Sequence, residues 1–252
     1  MARYKVILAY DGTHFQGFQR QKSGVRTVQG EVEQALRGLG WEGKSILSAG
    51  RTDTGVHASG QVIVFDFGWK HSAQALTRAV NAHLPPDVAA LDVRIAPEGF
   101  HPRFDAVLRT YRYRIYCDGT RNPLLDRYAW RVWPAVDLEL LQSAATLLVG
   151  THDFAAFGAP PQTGGSTLRT VYAASWKSNA GELEFEVSAN AFLYHMVRRI
   201  VFLQVLVGKN QLSLEDLSRA IRQAELLTPG LAPPNGLYLM EVGYLSGRDE
   251  TS

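Results

Sequence analysis

Two hydrophobic periods alternate along this chain, and their order limits the architectures open to it. Tyr4 to Tyr10 is rich in β-forming residues and stops at the turn signal Asp11-Gly12. Thr27 then opens a stretch in which Val28, Val32, Ala35, Leu36 and Leu39 recur on one helical face, with Gly40 to end it. A short strand is expected near Ile46 to Ala49, and a longer one at Gln61 to Phe67. Ser72 caps a helix that runs to Leu84 and is closed by Pro85-Pro86, and Leu91 to Ile95 follows as a strand. The first hundred or so residues therefore read β-α-β-β-α-β.

The second half repeats the rhythm with longer elements. Arg109 to Cys117 alternates Tyr111, Tyr113 and Ile115 on one face with Arg112 and Arg114 on the other. Asp137 caps a helix carrying Leu138, Leu141, Ala145 and Leu148, ended by Gly150. Leu183, Phe185, Val187 and Ala189 alternate with Glu182, Glu184 and Glu186, the pattern of an antiparallel strand with one wet face. Helices are expected at about Leu193–Val207 and Ser213–Leu226, and a last strand at Leu237–Tyr244. Pro160 to Ser166 reads as an exposed loop. The fold class is α+β: two split-βαβ, ferredoxin-like halves, 1–105 and 106–252, joined around a mostly antiparallel sheet with a central active-site cleft.

Composition narrows the classes further. The chain has 252 residues, 46% hydrophobic and 20% charged, which excludes long disorder. Cys117 is the only cysteine, so an intrachain disulfide and a Cys-based zinc site are both excluded. A reducing compartment fits that usage. The most apolar run, Ile200 to Val207, is interrupted by Gln204 and is far short of the ~20 residues of a membrane span. The N-terminus carries no signal-like apolar stretch, so a soluble, cytoplasmic protein without membrane contact is expected. Residues 1–131 hold 18 basic and 12 acidic side chains, and residues 132–252 hold 8 and 12. From Arg103 to Arg131, seven arginines are interleaved with Tyr111, Tyr113, Tyr116, Tyr128 and Trp130. Cations beside stacking platforms suit a folded RNA. A solvated strand face accounts equally for Arg112 and Arg114.

The segment richest in chemistry is Gly50-Arg51-Thr52-Asp53-Thr54-Gly55-Val56-His57-Ala58. Two glycines let the backbone turn tightly and present the polar side chains between them. On pattern alone, an ordinary loop whose Asp and Thr satisfy local backbone groups explains it as well. The histidines show no metal spacing.

This segment resembles the signature of the tRNA pseudouridine synthase A family, and further blocks agree in order. They are Tyr10-Asp11-Gly12-Thr13 with Phe15, Gly17, Gln19 and Gln21; Thr27-Val28-Gln29-Gly30; and Asn81 with Leu84-Pro85 and Asp87-Val88. Phe100 to Ala106 leads into Arg109-Thr110-Tyr111-Arg112-Tyr113-Arg114-Ile115, and Phe192 to Arg198 and Ala232 to Leu239 complete the match. Two positions depart from the family's usual pattern: Phe202 stands where glycine is usual, and Leu206 where an acidic residue is common. Both bear on helix packing rather than on chemistry.

The resemblance implies isomerisation of uridine to pseudouridine at positions 38, 39 and 40 of the tRNA anticodon stem-loop, with no cofactor and no metal, by a homodimer. Asp53 is then the catalytic carboxylate. Arg51 and Arg198 are its candidate charge partners, with Arg198 preferred. Tyr111 stacks on the target base, and its hydroxyl is placed to assist removal of the C5 proton. Arg103, Arg109, Arg112 and Arg114 are the candidate RNA contacts. Three other readings compete: a non-catalytic RNA-binding protein, a metal-dependent phosphoesterase built on Asp11, Asp53 and His57, and a glycoside hydrolase. Only one carboxylate sits in a convincing site, which weighs against the last.

Overall fold

The structure is a computed structural model that describes residues 1–22, 24–160, 162–225 and 227–245. It is a mixed α+β protein whose strands pair mostly antiparallel, and the chain divides into two compact units.

The first unit starts with β1 (Ala2–Tyr10), α1 (Val28–Gly38), β2 (Leu47–Ser48), β3 (His57–Phe67), α2 (Ala73–His83) and β4 (Val88–Ile95). This is the β-α-β-β-α-β order expected from the periods. Strand β1 lies between β4 and β3 and is antiparallel to both, with Val6 opposite Ile63 on one side and Val93 on the other. Its alternation puts Tyr4, Val6 and Leu8 in the core. Helix α1 buries Val28, Val32, Ala35 and Leu36, and Thr27 caps it by accepting from the Gly30 amide at 3.3 Å. Ser72 does the same for α2 through the Ala75 amide at 3.2 Å. Asn81 then ties α2 to β4, donating to the Ala90 carbonyl and accepting from its amide, both at 2.8 Å.

The second unit holds β5 (Ala106–Cys117), most of which lies past the boundary at residue 108, then β6 (Trp130–Val132), α3 (Leu138–Thr146) and β7 (Gly150–Asp153). It continues with β8 (Leu168–Asn179), β9 (Glu182–Ala189), α4 (Met196–Gly208) and α5 (Leu214–Gln223). Strands β5, β9, β8 and β7 run antiparallel in that order, and β6 pairs parallel to β5. Tyr113, Ile115, Phe185, Val187 and Trp176 form the buried face of the sheet. Leu141, Ala144 and Ala145 of α3 and Ile200, Val201 and Leu203 of α4 are buried in the same unit.

The chain then returns to the first unit as β10 (Leu237–Tyr244), which pairs parallel to β3 with Tyr238 opposite His57 and Leu239 opposite Ala58. The expected split placed all of 106–252 in the second half. The structure groups the chain from Tyr238 with residues 1–107 instead, because β10 finds its partner in β3.

Two local expectations are also revised. Strands β6, β7 and β8 carry no alternation that marks them in the sequence. Helix α4 begins at Met196 rather than Leu193, because the Tyr194 amide donates to the Ala159 carbonyl at 2.9 Å and His195 takes a left-handed φ of 65°. Pro161 of the expected loop and Leu226 of the expected last helix lie outside the described residues. Phe202 is accommodated by Gly230, whose missing side chain leaves room for the ring. Among the described residues no helix is long and apolar enough to cross a membrane.

Candidate active site

Asp53 stands on the loop between β2 and β3 of the first unit. Residues 51–55 carry no ladder hydrogen bonds, so their placement depends on discrete contacts, from the end of β1, the segment after it, β3 and the loop itself. The Phe18 amide donates to the Thr52 carbonyl at 3.0 Å, and the Gly55 amide to the Phe15 carbonyl at 3.4 Å. Buried Tyr10 and Thr52 join hydroxyls at 2.8 Å. The Val56 amide closes a turn onto the Asp53 carbonyl at 3.2 Å, and buried Gln61 donates to the Gly50 carbonyl at 3.1 Å. Gly55 holds φ at 78°, the left-handed region in which a Cβ is strained. Asp53 is half-buried, and Arg51 and Thr54 on either side of it are exposed.

The segment that pins the loop is itself braced. Gly12 passes so close to the loop that a Cβ there would stand 2.0 Å from the Val56 carbonyl oxygen, which only glycine tolerates. Its amide points at Nδ1 of His57 at 3.0 Å. His57 is buried, stacks on Tyr238 with centroids 4.7 Å apart, and lies 3.2 Å from an Asp11 carboxylate oxygen. The Arg26 guanidinium covers the Phe15 ring at 4.3 Å and grips Asp87 through two hydrogen bonds of 2.7 and 2.9 Å. His57 thus has a structural task, which tells against its use as a metal ligand beside Asp11 and Asp53.

In the second unit, Tyr111 lies on β5 opposite Val187, half-buried, with its ring edge-on to Phe192 at 5.0 Å. Tyr113, two residues on, is fully buried and donates to the Pro233 carbonyl at 2.7 Å, which makes it a core aromatic rather than a stacking platform. Burial pushes its phenol well above the usual range, and the Arg198 charge opposes that shift. Arg198, in the first turn of α4, is clamped by the same returning segment. Its Nε donates to the Ala232 carbonyl at 2.8 Å, while the Ala232 amide donates to the Arg198 carbonyl at 3.1 Å.

Two side chains sit differently from expectation. An Arg198-Arg199 pair leads one to expect at least one exposed guanidinium, yet Arg198 is half-buried and Arg199 is buried. Arg199 donates to the Gly230 and Leu227 carbonyls at 2.9 and 3.0 Å, and burial lowers its pKa. On the other face of β5, Arg112 pairs with Glu186 at 2.9 Å and Arg114 grips Glu182 at 2.8 and 2.9 Å. These are cross-strand ion pairs of a wet sheet face. Arg109 donates to the Asn190 carbonyl at 2.8 Å, and Arg103 is exposed on the loop before β5. The bond between Tyr10 and Thr52, the packing of Phe192 on Tyr111 and the burial of Arg199 are contacts that the sequence blocks contain without revealing. Among the described residues no three His, Cys, Asp or Glu side chains converge as a metal site.

A carboxylate fixed through its neighbours on a loop is suited to acid–base or nucleophilic work on a small polar group. Comparison with known proteins supplies the family. Residues 6–105 and 144–245 match the family described as tRNA pseudouridine synthase. A tRNA pseudouridine synthase A of Neisseria gonorrhoeae is 42% identical over 243 residues, covering 96% of this chain and 92% of the relative. One from a Geobacillus species is 41% identical over 96% of this chain and 98% of its own length. Another, from Chloroflexus aurantiacus, is 40% identical over 98% and 90%. With more than half of the chain matched by the family and relatives above 40% identity along nearly all of it, this chain belongs to the tRNA pseudouridine synthase family.

Proposed function

We propose that this chain isomerises uridine to pseudouridine at positions 38, 39 and 40 of the tRNA anticodon stem-loop, as a cytoplasmic homodimer that uses no cofactor and no metal. The N1–C1′ bond breaks, the uracil turns over, and a C5–C1′ bond forms. C5 gives up a proton and N1 takes one, so atoms and electrons balance within the nucleotide and the solvent. Asp53 starts the reaction in each of three routes: attack on C1′, attack on C6, or removal of the C2′ proton to give a glycal. Arg198 keeps the carboxylate ionised, and Arg51 binds the substrate beside it. Tyr111 stacks on the base, and its hydroxyl assists loss of the C5 proton. Arg103 and Arg109 are the arginines proposed to meet RNA; Arg112 and Arg114 reach a phosphate only by giving up Glu186 and Glu182.

The observation that carries this reading is the Asp53 loop, a half-buried carboxylate between buried Thr52 and exposed Thr54 on a backbone held from outside the loop. Asp53→Asn tests it. The variant is nearly isosteric, so it should keep the wild-type melting temperature and tRNA affinity, yet release no tritium from C5-labelled uridine in tRNA. Pseudouridine formation by the purified variant overturns the assignment. Mass-spectrometric mapping of wild-type product fixes the positions, and light scattering with size-exclusion chromatography fixes the oligomeric state.

A further inference from the structure

We infer that the buried hydroxyl pair of Tyr10 and Thr52 is a positioning device for the Asp53 carboxylate, an inference that rests on the function proposed above. Tyr10 is the last residue of β1, and its backbone already pairs with Ala58 of β3. Its ring packs at 6.2 Å from Phe18 in a tilted contact that phenylalanine would make equally well. The hydroxyl makes a bond of 2.8 Å to Thr52, across 42 residues, inside the protein. Thr52 directly precedes Asp53. Its carbonyl is already held by the Phe18 amide at 3.0 Å, so the Tyr10 bond fixes the second side of the same residue. With both sides of Thr52 held, the direction in which the chain carries Asp53 out of the core is set. Without the side-chain bond, Thr52 keeps its carbonyl anchor alone, and the loop loses one of the constraints that direct Asp53.

A displacement on the scale of an ångström costs a catalytic group roughly a hundredfold in rate, whereas binding through other groups is untouched. A merely structural bond has the opposite profile. Losing it lowers the melting temperature and leaves the turnover of folded enzyme alone.

The test uses Tyr10→Phe, Thr52→Val, Thr52→Ser and the Tyr10→Phe/Thr52→Val pair, with single-turnover rates and tRNA affinity measured on full-length protein. Tyr10→Phe and Thr52→Val should each lower the turnover rate about 10- to 100-fold at unchanged tRNA affinity. Thr52→Ser, which keeps the hydroxyl, should restore most of the rate. The double variant should be no slower than the slower single one, because the two hydroxyls act as one unit. Unchanged turnover in Tyr10→Phe, with or without a fall in melting temperature, overturns the inference even where Thr52→Val fails to fold. So do independent, multiplying losses in the double variant. A wild-type chain that makes no pseudouridine refutes the functional reading itself; an active wild type with silent Tyr10 and Thr52 variants refutes only the positioning role.

Discussion

Gly230→Ala and Phe202→Ala form a pair whose coupling follows from the geometry. A Cβ on residue 230 would stand 2.2, 2.4 and 2.7 Å from Cζ, Cε1 and Cε2 of Phe202. Carbon atoms rest at about 3.5–4.0 Å, so the ring has to retreat by about 1.3 Å or the backbone has to give. Overpacking of that kind costs about 1–3 kcal/mol. Residue 230 also holds φ at 148°, where a Cβ adds about 1–2 kcal/mol of backbone strain. Gly230→Ala should therefore destabilise by about 2–5 kcal/mol. Once Phe202 is replaced by alanine the ring is gone and only the backbone part remains, about 1–2 kcal/mol. The coupling is the difference, about 1–3 kcal/mol, and urea unfolding of the wild type, both single variants and the double variant measures it. Function should follow the strain, since the Gly230 carbonyl anchors Arg199 and Ala232 clamps Arg198 two residues later. An equal cost for Gly230→Ala in the wild-type background and in the Phe202→Ala background would refute the reasoning, and with it the account of how a phenylalanine fits where the family usually has glycine.

Two further outcomes can be measured. Arg112→Ala and Arg114→Ala should leave the salt dependence of tRNA binding unchanged, because Glu186 and Glu182 already take their charge; a flatter dependence would show that they neutralise phosphates. Asp66 hydrogen-bonds Arg3 through both carboxylate oxygens, which holds its pKa below the usual carboxylate range. A depressed folded-state pKa contributes stability above the unfolded Asp value of about 3.9, and that contribution is lost as pH falls through the lower folded value. NMR titration of the Asp66 carboxyl should accordingly show its pKa rise to the ordinary range in Arg3→Ala; no change would mean that the ion pair does not persist in solution.

The sequence was legible where a period or a cap decides the structure. Thr27, Ser72 and Asp137 each accept an amide from the first turn of their helix, as their side chains dictate. Strand β8 escaped notice because most of its residues are exposed, with only Val171 and Trp176 buried, so its apolar residues show no regular alternation. The expectation for Arg198 and Arg199 erred for a related reason. Charge in a sequence reads as surface, yet a guanidinium can be buried wherever backbone carbonyls meet it, as those of Leu227 and Gly230 meet Arg199. The glycines bracketing Asp53 were singled out together, but only Gly55 has a left-handed φ, and a Cβ on Gly50 would meet nothing within 4 Å. A second constraint falls on Gly12, which pattern reads only as a turn signal and the structure packs against Val56.

The bonds that shape the candidate site share a property that explains why its ingredients could be read and its geometry could not. Tyr10 and Thr52 are 42 residues apart, Arg198 and Ala232 are 34 apart, and Tyr113 and Pro233 are 120 apart. In each case one partner lies in a recognisable block, and the other lies in a different block with no period or spacing linking them. Closing such distances costs chain entropy that no local propensity offsets, so these contacts depend on the surrounding sheet and helices to bring the partners together. The carboxylate loop and the arginine-bearing helix turn are therefore consequences of the completed fold. The placement of the side chains proposed to act here is held by buried hydroxyls and backbone carbonyls contributed from elsewhere in the chain.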